Sequence, residues 1–132
     1  MKKFRNRYAG KRAFVMGNGP SIRKHELKLL RNEYVFAVNL ITLHSEFKNF
    51  RKCYYCLGDP RFYQNERLLP EISENLSINA EVTSFFELRA RDAVIREQRL
   101  NDRRYYFVEI DPTRKCWEGS FHADLEDKLC WG

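Results

Sequence analysis

No stretch of this 132-residue chain approaches the ~20 consecutive apolar residues a membrane-spanning helix needs. Behind the basic start (Met1, Lys2, Lys3, Phe4, Arg5) stands more Arg and Lys, with none of the apolar core of a signal peptide. The sequence therefore reads as a soluble protein left in the cytoplasm. Glycine (6) and proline (4) are few and without period, which excludes collagen-like and low-complexity classes. No internal repeat divides the chain, and its length suits one domain. A Gly-Lys-Ser/Thr phosphate loop is missing. So is the third small residue of a dinucleotide fingerprint. The four cysteines include one close pair, Cys53 and Cys56, inside Lys52-Cys53-Tyr54-Tyr55-Cys56-Leu57. That run reads as a strand, where residues three apart point to opposite faces, so free buried or half-buried thiols are expected ahead of zinc or a redox pair.

What is present is basic, aromatic and periodic. Lys and Arg exceed Asp and Glu by 24 to 18, and the excess sits early, in Lys2, Lys3, Arg5, Arg7, Lys11 and Arg12. Such an arm attracts phosphates or simply keeps the chain solvated. No specific nucleic-acid partner is expected, since most aromatics fall inside strand-like runs, where they build core.

Five such runs predict strands: Arg12–Met16, Tyr34–Leu40, Cys53–Leu57, Glu81–Phe86 and Tyr105–Ile110. Between them, helices are expected at Ile22–Arg31 with Ser21 as N-cap, at about Arg61–Leu69 before Pro70, and at Asp92–Leu100. Alternation of this kind predicts an α/β fold, a Rossmann-like parallel sheet of about five strands with flanking helices. The segment 112–132 reads as irregular but carries Trp117, Phe121, Leu125, Leu129 and Trp131, so a longer domain is expected to continue there. The last strand's edge and these aromatics would promote self-association.

The chemistry concentrates at Gly17-Asn18-Gly19-Pro20-Ser21, a strand running into a glycine turn and a helix start. Glycines let backbone approach a ligand, and free N–H groups at the helix start face an anion. An ordinary tight turn with a capped helix explains the same residues. The second and third strands also finish on polar residues, Asn39 and Asp59. With Asn18 they would line one sheet edge, where ligands bind at a reversal of strand order. Asn39 can read a base or a hydroxyl. Asp59 can hold Mg²⁺, act as a base or form a turn. His25 reads as solvated. His44 follows the second strand and reaches toward the crevice, and His122 lies near Asp124.

Gly17-Asn18-Gly19-Pro20-Ser21, then Asn39 and then Asp59-Pro60 resemble the archaeal 6-hydroxymethylpterin diphosphokinase-like family, many of whose bacterial members look like glycosyltransferases of surface glycans. The stretch is also similar to bacterial sialyltransferases that use a CMP-activated sugar. It covers about residues 10–62, with Asp59 replacing the sialyltransferase Asn. The resemblance implies a nucleotide-dependent transferase. Nucleotide would be held by Gly17, Asn18, Gly19, Ser21 and Asn39, and Asp59 would face the transferred group or a metal. His122 stands as the candidate base. A nucleotide sugar is the favoured co-substrate, with ATP and Mg²⁺ as the alternative. Relatives of both kinds continue past a point like Trp131-Gly132, so the resemblance also implies a nucleotide-binding module that lacks part of the catalytic apparatus.

Overall fold

Each of the five β-branched or aromatic runs forms a strand: β1 Ala13–Met16, β2 Tyr34–Val38, β3 Lys52–Leu57, β4 Thr83–Glu87 and β5 Arg104–Val108. The computed structural model describes residues 4–101, 103–115 and 129–131. All four pairings are parallel, and the strands lie side by side in chain order, β1-β2-β3-β4-β5. This is the expected α/β, Rossmann-like sheet. Among the described residues no helix is long and apolar enough to cross a membrane.

Sequential order decides where the core sits. Right-handed crossovers that all step the same way land on the same side of a sheet. Accordingly Ile41, Phe47 and Phe50 from the β2–β3 connection pack with Leu69, Ile72 and Leu76 from the next, and with Val94 and Leu100 after it. The sheet side of this core is Val35, Ala37, Tyr55, Leu57 and Phe86. On the other face Phe36, Tyr54, Phe85 and Tyr106 form a row of stacked rings, with centroids 5.0, 6.4 and 5.7 Å apart in turn. The chain's own start covers that row: Phe4 sits edge-on to Tyr54, Phe85 and Tyr106, and Tyr8 meets Tyr34 and Tyr54. Strand order nowhere reverses in this sheet, so the crevice expected at a switch point has no such origin here.

The connections differ more from expectation. In place of one helix at Ile22–Arg31 there are two 3-10 segments, Pro20–Lys24 and Leu27–Leu30, parted at His25 in an extended conformation. The apolar residues spread over too broad an arc to bury together. Leu27 is buried, whereas Leu29 is 73% exposed. The N-cap position belongs to Gly19 and not to Ser21. The single helix expected at Arg61–Leu69 is also two, α1 Pro60–Tyr63 and α2 Leu68–Ile78. Asn65 divides them by accepting the N–H groups of Arg67 and Leu68 through its side chain. Pro70 then falls third in α2, in the first turn, where a missing N–H costs little. The helix expected at Asp92–Leu100 becomes α3 Arg91–Arg96 and a 3-10 turn at Gln98–Leu100. The expected fifth strand ends at Val108 instead of Ile110, and β6 Ile110–Lys115, reaching into the segment 112–132 expected to be irregular, pairs in parallel with β7 Leu129–Trp131 as a separate small sheet.

Candidate functional site

Because Met16 pairs with Ala37, the turns that leave β1 and β2 emerge side by side at the carboxyl edge. Between them lies a cleft of about 440 Å³. Pro20, Ile22, Leu40, Ile41 and Leu43 give it an apolar wall, and Asn18, Gly19 and His44 supply its polar groups. Among the described side chains no Lys, Arg, Asp or Glu lines it.

The two glycines are the unusual feature. Neither has a positive φ, and Gly19 sits at φ −63°, ψ 160°, open to any residue. A Cβ added at Gly17 or at Gly19 would meet nothing within 4 Å. Neither backbone conformation nor packing among the described residues therefore calls for glycine. Both positions leave their backbone open to close approach. The dipole of a long helix does not reinforce this turn, since Pro20–Lys24 has only five residues and Gly19 makes no side-chain cap.

Asn39 is a left-handed residue (φ 51°), a conformation that Asn tolerates better than most. Its carbonyl accepts the Tyr55 hydroxyl at 2.8 Å, and Tyr55 is fully buried. That bond fixes the point where β2 turns into the 3-10 segment Asn39–Leu43, one side of the cleft. The Asn39 side chain is not among the lining groups, nor is that of Ser21, which is exposed. The structure thus brings together Asn18, Gly19 and His44 from the sequence candidates. Gly17, Ser21 and Asn39 shape the turns around them.

Asp59 is engaged elsewhere. Its Oδ1 accepts the Arg61 backbone N–H at 2.9 Å as the N-cap of α1, and the Arg61 guanidinium bonds both carboxylate oxygens. Chiefly through the Arg61 side chain, its carboxyl is held below the ordinary value. Both oxygens are thus engaged by Arg61, and among the described residues no group of three or more His, Cys, Asp or Glu is placed to hold an ion. Next door, β4 ends on Glu87, 3% exposed, which accepts the Tyr63 hydroxyl at 2.8 Å and Arg89 Nε at 2.8 Å. Burial, and then the Glu87 bond, push the Tyr63 phenol up to about 12. Tyr63 and Arg89 border a second cleft of about 560 Å³ between α1, α2 and α3. Sequence reasoning missed Glu87 and Tyr63. The signal was a carboxylate at a strand's end with Arg two residues later, which occurs twice in the chain.

Cys53 points into the core and Cys56 lies on the opposite face. Both are free, and burial raises their thiols to about 12 and about 11, so neither is a reactive thiolate. His25 is exposed, and His122 lies outside the described residues. Compared with family models, curated proteins and solved structures, the chain matches none.

Proposed function

We propose that this chain binds a nucleotide in the cleft between the β1 and β2 turns and serves group transfer from a nucleotide-activated donor, a nucleotide sugar in the first instance. The observation that carries the reading is the pair of glycines whose missing Cβ atoms no packing among the described residues requires. The apolar wall suits the face of a base or a sugar. The polar groups at Asn18, Gly19 and His44 suit phosphate oxygens, which neutral donors hold without a fixed cation. The resemblance of Gly17–Ser21, Asn39 and Asp59-Pro60 to nucleotide-dependent transferases supplies the reaction class.

Asp59 acts in this reading through Arg61: it caps α1 and holds the guanidinium at the sheet edge. Transfer of diphosphate from ATP would instead need Arg61 to release Asp59 to a metal, so this is the less favoured chemistry.

Thermal unfolding with CMP, UDP, GDP and ATP, each with and without Mg²⁺, tests the proposal. A ligand at about a hundredfold excess over Kd stabilises by ~2.7 kcal/mol, a shift of several degrees. A cytidine or uridine preference supports sugar transfer. A strict ATP and Mg²⁺ requirement supports diphosphate transfer, and no response to any nucleotide overturns the proposal.

A further inference from the structure

His44 closes the 3-10 segment Asn39–Leu43 and borders the cleft. Its Nδ1 accepts the backbone N–H of Glu46 at 3.1 Å. A backbone amide can only donate, so Nδ1 carries no hydrogen and the neutral ring carries it on Nε2. That turn fixes the tautomer. Among the described residues no acceptor takes the Nε2–H, and no charged side chain lines the cleft that this imidazole borders.

We propose that His44 is the ligand-recognising donor of this site, its Nε2–H directed to an anionic oxygen of a bound phosphate. The inference rests on the nucleotide reading above and adds the group that reads the anion. A neutral donor in a fixed tautomer needs no counter-charge, which matches a wall of apolar side chains. Its orientation comes from Glu46, whose carboxylate is in turn held by Arg31 and Asn49, so the ring is set before any ligand arrives.

Two substitutions separate recognition from mere turn formation. His44→Asn places a carbonyl oxygen where Nδ1 was, preserving the bond from the Glu46 N–H but losing the distal donor. His44→Gln can return an N–H near the Nε2 position and gives up the turn bond. Wild type and both variants are titrated with CMP, UDP, GDP and ATP by calorimetry, beside ligand-free melts. The expected affinity order is wild type, then Gln, then Asn. The Asn variant should bind about tenfold or more weaker, the loss of one hydrogen bond to a charged group, while its ligand-free melt stays near the wild type. Any other order overturns the inference, including an Asn variant that binds like the wild type. A second readout needs no variant: the Nε2 nitrogen resonance of wild-type His44 should move as nucleotide saturates, and a stationary resonance at saturation also overturns it. Failure of the wild type to bind any of the four is distinguishable from these results. It removes the nucleotide reading itself, and this inference with it.

Discussion

An alanine at position 19 asks nothing new of the backbone, because φ −63° and ψ 160° suit any residue and its Cβ would meet open space. Gly19→Ala should therefore leave the fold unchanged or stabilise it by about 0.4–1 kcal/mol through the unfolded chain. If a ligand's phosphate approaches this backbone, the same methyl should lower nucleotide affinity. Urea melts and a nucleotide titration give the two signs, and unchanged affinity would remove Gly19 from the site. Asp59 makes the opposite kind of prediction. As an N-cap it should cost about 0.5–2 kcal/mol when replaced by Ala, with nucleotide affinity unmoved. Its folded carboxyl lies below the ordinary 3.8, so the charged form's stabilisation is complete above that value and is lost as pH falls through the lower folded one. Wild type and Asp59→Asn, melted in urea from pH 6 downward, should converge toward acid. A gap that widens toward acid contradicts the Arg61 pairing. The sequence permitted both roles for Asp59, and only the Arg61 geometry distinguishes them. His44 was legible by position, but its tautomer depends on a backbone amide that no pattern displays.

Among the elements, strands were far more legible than their connections. A parallel strand buried on both faces must be a continuous apolar run, and such runs mark themselves. The helices did not, because a short connection over one sheet face can be held by few anchors. Among the described side chains Leu27 alone is buried between β1 and β2, so periodicity had little to record. Asn79 shows how such connections are held instead. It is 5% exposed, donates to the carbonyls of both Phe47 and Phe50 at 3.0 Å, and accepts the Glu81 N–H at 3.1 Å. One side chain thereby fastens the start of the β4 approach to the turn before β3. Nothing in the residue's neighbours announces this role. Asn79→Ala would take this donor from the Phe50 carbonyl and this acceptor from the Glu81 amide, would leave the Phe47 carbonyl with only the Phe50 N–H, and should destabilise by about 2–3 kcal/mol. Asn79→Asp keeps the acceptor but loses the donor, so it should cost nearly as much. Equilibrium denaturation of both variants checks this. A loss below ~0.5 kcal/mol for Ala would mean that water replaces the bonds freely.

For the whole molecule, the decisive feature is a sheet covered on one face by its connections and on the other by its own N-terminal residues. Phe4 and Tyr8 are the cover over the row Phe36, Tyr54, Phe85 and Tyr106, and Phe36 remains 39% exposed even so. Replacing Phe4 and Tyr8 together by Ala should cost about 2 kcal/mol in lost ring contacts and lay bare an aromatic strip. Light scattering should then show more self-association than the parent at equal concentration. A monodisperse double variant with unchanged stability would show that the cover contributes nothing. The parallel, five-strand architecture was legible in the alternation of runs, whereas its one-sidedness was not, because strand order is invisible to local pattern. That order also bears on how the chain acquires its shape. Successive partners are residues 13 and 34, 34 and 52, 54 and 83, and 83 and 104, so each strand pairs with the strand made just before it. No strand has to wait for a distant one, and loop-closure entropy is met in small, similar steps. During synthesis the sheet can lengthen at one advancing edge, in the direction of translation.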